Sequence, residues 1–177
     1  LTRGVFAVPG TNYSMMLHRS KNFDRFFEQL RSHYDDAVDI GILIAVAQLL
    51  WNQTDPVSYW HRFLREESPA GGERRGLLLV AKGDKQVPVV TNEILARTFP
   101  DIAMMQPWDG ERTPWNIEQT PYPHEGTGMI LFDFGNPWPI GRANRPPATP
   151  MDDPHSALSG VDEVSLLLES FFSDGEI

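Results

Sequence analysis

Cysteine is absent from the 177 residues. That excludes thiol catalysis, disulfides and cysteine-based zinc sites, and leaves the choice between cytoplasm and exterior open. Long apolar runs are missing too: none reaches the ~18 residues a membrane-spanning helix needs. The longest, Ile40 to Trp51, is expected to be a helix buried in protein. Positive charge is scarce, with 15 Lys and Arg against 24 Asp and Glu, a net charge of −9. A nucleic-acid partner would want a basic stripe, so none is expected. Neither His–x–x–x–His nor His–Glu–x–x–His occurs, and Gly-rich phosphate loops are lacking, so no metal or cofactor is expected. The chain opens Leu1–Thr2–Arg3 without initiator Met or signal peptide, and is expected to be a piece whose beginning lies elsewhere.

What is present reads as one α/β domain of ordinary globular composition, 41% hydrophobic and 22% charged, with a sizeable core. Leu77 to Ala81 is a short apolar run bounded by turn residues, the form of a parallel strand covered on both faces. Gly4–Val5–Phe6–Ala7–Val8 and Gly128 to Phe134 read as two further strands. Between the first and second strands come three expected helices. One is capped by Asn22, with Phe23, Phe26, Phe27, Leu30 and Tyr34 on its apolar face; Ile40 to Trp51 is the next. The third starts at Asp55–Pro56 and presents Val57, Tyr59, Trp60, Phe63 and Leu64. Pro88 opens another helix, with Val90, Ile94, Leu95 and Thr98 facing inward, that Pro100 ends. Residues 100–127 read as a long irregular loop, and Pro137 to Pro154 as a second proline-rich connection. Ser159–Gly160–Val161–Asp162 reads as a capping box for a last helix, with a stripe of Val161, Val164, Leu167, Leu168 and Phe171 and Gly175 at its end. Strands alternating with helices imply a parallel sheet with helical cover. Three strands are few for such a sheet, which would expose an edge.

Ligands of open α/β sheets gather at the carboxyl ends of the strands. Asp84 follows one strand there, and His155 follows the next, before the terminal helix. A catalytic His needs a carboxylate to fix its tautomer and to stabilise the imidazolium formed when it takes a hydroxyl proton. Plainer alternatives exist: Asp84 bonding its own turn, and His155 as a surface histidine. His124 is the rival, since it too precedes a strand, while His18, His33 and His61 sit on or beside the insertion helices. No nucleophile elbow Gly–x–Ser–x–Gly occurs. Ser14 follows a strand but lacks flanking glycines, so Asp84 and His155 have no evident nucleophile within the chain.

The order strand, helical insertion, strand–Asp, helix, strand, His, helix resembles the C-terminal half of the α/β-hydrolase fold, whose triad runs Ser, acid, His. Val80–Ala81–Lys82–Gly83–Asp84–Lys85–Gln86–Val87–Pro88 is similar to that fold's acid turn. Asp153–Pro154–His155–Ser156–Ala157–Leu158 is similar to its His loop. Val8–Pro9–Gly10–Thr11–Asn12–Tyr13–Ser14, Leu17–His18–Arg19–Ser20, Gln48–Leu49–Leu50–Trp51 and Asp55–Pro56 resemble large bacterial predicted serine hydrolases that are exported. The resemblance implies that residues 1–19 and 67–177 belong to the hydrolase core and 20–66 form a helical cap. It implies Asp84 and His155 as catalytic residues acting on a small carboxylic ester. Nucleophile, oxyanion hole and first strands would come from the N-terminal half, on the same precursor or another chain. The resemblance also implies an extracellular location. The alternative expectation is a hydrolase-like module without catalysis, acting in binding or assembly through an exposed sheet edge.

Overall fold

The computed structural model describes residues 2–63, 73–99, 101–110, 112, 114–141, 144–146 and 153–177. Five parallel strands form one sheet, ordered β1-β2-β5-β3-β4. They are β1 (Arg3–Ala7), β2 (Arg75–Ala81), β3 (Ala103–Met105), β4 (Glu118–Thr120) and β5 (Gly128–Phe132). β2 explains why the sheet is parallel and covered. Leu77 to Ala81 are all 0–1% exposed, and each large side chain so buried is worth roughly 1.5–3 kcal/mol. Leu78 and Val80 point to one face, where Val89, Leu95 and Ala96 of α5 (Val89–Ala96) join Phe99, Met104 and Met129. Leu77 and Leu79 point to the other, against Val164 and Phe171 of α6 (Asp162–Ser173), with Leu158 and Ile177. A period of two on a strand with helices above and below gives this three-layer arrangement.

Two of the five strands lie inside the expected loop 100–127, which corrects that reading. β3 is a three-residue run containing two Met, and β4 is the polar Glu118–Gln119–Thr120 at the far edge. Neither shows an alternating apolar pattern, and pairing with neighbours is what makes them strands. β5 enters last, between β2 and β3, so the carboxyl ends of β2 and β5 lie side by side. β1 stays at an edge, although α6 packs on one of its faces and Phe6 meets Trp60 edge-to-face at 4.3 Å on the other.

Between β1 and β2 the described chain is helical: α1 (Tyr13–Met16), α2 (Asp24–Arg31), α3 (Ala37–Trp51) and α4 (Trp60–Phe63). Ser20, rather than Asn22, caps the 3-10 turn that leads into α2. Asp55 caps a second 3-10 turn, Pro56–Ser58, so the expected third helix opens as 3-10, and its α-helical part is described over Trp60–Phe63. Leu64 lies outside the described residues. The expected burial of α3 is also corrected. Only Ile40 and Ile44 are buried, with Leu17, Phe23, Phe27, Leu30 and Trp51 around them. Val38, Ile42, Val46, Leu49 and Leu50 are 54–74% exposed. An all-round apolar helix has nothing in its periodicity to say which face is covered. Among the described residues no single helix is long and apolar enough to cross a membrane.

Two smaller expectations change. α5 buries Thr91, Asn92 and Glu93 along with Leu95, while Val90 and Ile94 are half-buried. The capping box does not form: Val161 precedes α6, and the Ser159 hydroxyl donates to Ser156 O at 2.8 Å. Residues 154–160 are already a 3-10 helix, which uses that hydroxyl first. Gly175, at φ +83, closes α6 by donating to Phe171 O at 3.1 Å and Ser170 O at 3.3 Å.

Candidate active site at the carboxyl ends of the strands

From β2 the chain turns through Lys82 and Gly83 into Asp84. Gly83 has φ +76, and a Cβ there would stand 2.5 Å from the Asn136 Cβ. Backbone sign and close approach both require glycine. The turn delivers Asp84 to a position only 2% exposed. Its Oδ1 accepts the N–H groups of Gln86 at 2.7 Å and Val87 at 2.8 Å. Its Oδ2 lies 2.8 Å from His155 Nδ1. The plain reading of Asp84, an Asp bonding its own turn, and the functional one are therefore realised together, one on each oxygen. Burial pushes the Asp84 carboxyl up from its ordinary value, and the Val87 N–H, His155 ring and Gln86 N–H pull against that rise.

His155 sits in the 3-10 helix Pro154–Gly160, whose entry is capped by Asp153. Asp153 Oδ1 accepts from His155 N at 3.2 Å and from Lys85 N at 3.3 Å, and Lys21 pairs with its Oδ2. Burial raises the Asp153 carboxyl, but Lys21 and the two N–H donors outweigh it and hold the group below its ordinary value. One carboxylate thus ties the His155 turn to the loop after Asp84. An ionised carboxylate only accepts, so opposite ionised Asp84 it is Nδ1 of His155 that donates. Nε2 has no hydrogen-bond partner among the described residues, and the side chain is 25% exposed. The pair can receive a proton from a hydroxyl presented at Nε2.

Other candidates are not brought here. Ser14, in α1, donates its hydroxyl to Asn12 Oδ1 and its N–H to Gln48 Oε1 at 2.9 Å. It makes no hydrogen bond to His155. His124 exchanges backbone hydrogen bonds with Ile177 at 2.8 and 3.0 Å, and its buried Nε2 has no partner. His18 lies beside Arg19, with its ring pushed down from its ordinary value by burial and by Arg19, Arg145 and Arg31. Among the described residues no cluster of His, Asp and Glu could hold a metal.

Several residues at this rim carry no sequence signal. Lys82 Nζ pairs with Asp109 Oδ2 at 2.6 Å and Asp133 Oδ2 at 2.9 Å, joining the ends of β2, β3 and β5. Burial opposes its charge, but the two carboxylates outweigh that and raise its pKa. Trp138 Nε1 donates to Asp109 Oδ2 at 2.8 Å, and the Arg112 guanidinium lies 5.3 Å from the Trp138 ring centroid. Beside Asp84, Arg112 and Trp138 line a cavity of about 200 Å³ that also includes Arg19, Val89 and Asn144. Arg19, Arg112 and Trp138 come from three distant segments, and no spacing rule links them. Set against family models, curated proteins and solved structures, the chain matches none of them.

Proposed function

We propose that Asp84 and His155 are the acid and base of a Ser–His–Asp hydrolase acting on carboxylic esters. The Ser would come from polypeptide outside these 177 residues, on the same precursor or another chain. The observation that carries this reading is the 2.8 Å bond from His155 Nδ1 to a buried, doubly anchored Asp84, with Nε2 unpartnered among the described residues. In the reaction, Nε2 takes the proton from the Ser hydroxyl as its oxygen adds to the ester carbonyl. The imidazolium then gives that proton to the departing alkoxide. Water repeats the sequence on the acyl-enzyme, releasing acid and restoring Ser. Asp84 stays ionised throughout and stabilises the imidazolium.

Among the described residues β1 is the edge strand of an all-parallel sheet, and an unpaired strand edge can take a further parallel strand, which supports the same reading. The helices between β1 and β2 would then stand as a cap near the rim. Lys21 N donates to Lys85 O at 2.8 Å, so this segment contacts the loop after Asp84. The test is fluorophosphonate labelling of the protein isolated from its source. Labelling of a Ser outside the present residues, lost in His155→Ala, is the expected result. Absence of labelling in the source protein would defeat the reading. The exposed apolar face of α3 favours a second one, a non-catalytic module in binding or assembly, and failure to label would turn the balance toward it.

A further inference from the structure

The cavity beside Asp84 contains a cation that the mechanism above does not use. We propose that this cavity binds a carboxylate through the Arg19 guanidinium, so that the ester accepted at this rim carries an acidic substituent. The statement about the ester rests on the hydrolase reading, whereas carboxylate binding does not.

Among the described residues the charged groups in the lining are Arg19, Arg112 and Asp84. Arg112 is already engaged, its Nε and Nη2 donating to Glu93 Oε1 at 2.7 Å and Oε2 at 2.8 Å. Both oxygens of Asp84 are occupied by Gln86, Val87 and His155. The neighbouring Arg145 donates to Arg19 O at 2.9 Å, to Ser20 O at 3.0 Å and to Asp24. Arg19 differs from all of these. Its hydrogen bonds leave from one nitrogen, Nη1, toward Met15 O at 3.2 Å, Met15 Sδ at 3.9 Å and His18 Nε2. It meets no carboxylate among the described residues, and its Nε and Nη2, the edge that forms a fork, have no acceptor among them.

A half-buried arginine in a cavity wall, with Nε and Nη2 free of acceptors among the described residues, is matched by a planar oxyanion held through two parallel bonds. Asp84 in the same wall would repel a second ligand charge, which favours a monoanionic carboxylate over dianionic phosphate. The Trp138 ring keeps part of the wall apolar and strengthens the attraction. Beside Arg19, His18 is pushed down from its ordinary value, first by burial and then by the charges of Arg19, Arg145 and Arg31.

The experiment is calorimetric titration of the chain with sodium benzoate and, separately, inorganic phosphate. It is repeated for Arg19→Gln, Arg19→Lys and the exposed control Arg25→Gln, with thermal unfolding run on each variant. Benzoate should bind one to one, and Arg19→Gln should weaken it about tenfold to a hundredfold, the loss of charge-assisted hydrogen bonds. Arg19→Lys should fall between, keeping charge without the fork, and it decides the matter if Arg19→Gln unfolds. Arg25→Gln should bind as the parent does. No benzoate binding, binding indifferent to both Arg19 substitutions, or tighter binding of phosphate would each overturn the proposal. Arg19-dependent benzoate binding in a protein that fluorophosphonate does not label would uphold the pocket and remove the hydrolase reading.

Discussion

Replacing Asp84 by Asn separates the two tasks of this carboxylate. In Asp84→Asn the amide oxygen takes the place of Oδ1 and keeps the Gln86 and Val87 donors, which stand 2.7 and 2.8 Å from it in the native turn. The amide NH₂ replaces Oδ2 opposite His155 Nδ1, a contact of 2.8 Å that would become donor against donor. The ring should respond by moving its proton to Nε2, where it cannot act as base. The lost stabilisation of an imidazolium, for charges ~4 Å apart at an effective dielectric near 20, is about 4 kcal/mol. That corresponds to roughly a thousandfold in rate, and the wrong tautomer takes the loss toward ~10⁴. Stability should move little. A carboxyl whose pKa is raised on folding contributes stability below its ordinary range and loses it as pH rises through the raised value. At neutral pH a neutral isostere removes that cost, so the change should stay within about 1 kcal/mol. Asp84→Ala should instead cost about 1–4 kcal/mol by stripping the acceptor from two half-buried N–H groups. Nitrogen NMR of the imidazole reads the tautomer, fluorophosphonate labelling of the source protein reads the rate, and denaturant unfolding reads stability. An unchanged tautomer together with an unchanged labelling rate in Asp84→Asn would refute the reasoning.

Asp55 is buried and accepts from Thr11 Oγ1, the N–H groups of Asn12, Tyr13 and Val57, and Gln48 Nε2, at 2.8–3.2 Å. Asp55→Ala should cost about 3–5 kcal/mol and lower the thermal midpoint by roughly 10 °C. Burial raises the Asp55 carboxyl, yet its donors outweigh that and hold it below the ordinary value. Its stabilisation is therefore present above about pH 4 and lost as pH falls through the depressed pKa, a slope that acid titration of Asp55→Asn should flatten. Gly83→Ala forces a positive φ and a 2.5 Å contact. It should cost about 2–4 kcal/mol in denaturant unfolding and displace the Asp84 turn. Leu49→Ser and Leu50→Ser, at 67% and 74% exposure, should change stability by no more than about 0.5 kcal/mol. A larger loss would mean that α3 is covered.

Part of this molecule is written locally. Leu77 to Ala81 bounded by Gly76 and Lys82–Gly83 has the local form of a strand buried on both faces, and Asp55–Pro56 and Pro88 are local start signals for helical turns. Ordering the elements at one sheet rim made Asp84 and His155 a candidate pair, because parallel strands all end on the same side, but it left His124 and the plainer readings open. The 2.8 Å contact itself is decided by tertiary structure, since it depends on β5 entering beside β2. So are β3 and β4, whose three-residue runs, apolar in β3 and polar in β4, become strands by lending hydrogen bonds to neighbours. The exposed face of α3 is another such decision, because an all-apolar helix has no stripe to say which side meets protein. Arg19, Arg112 and Trp138 meet only because the chain returns to the rim three times, and hydrophobic periodicity holds no information on where charged side chains converge.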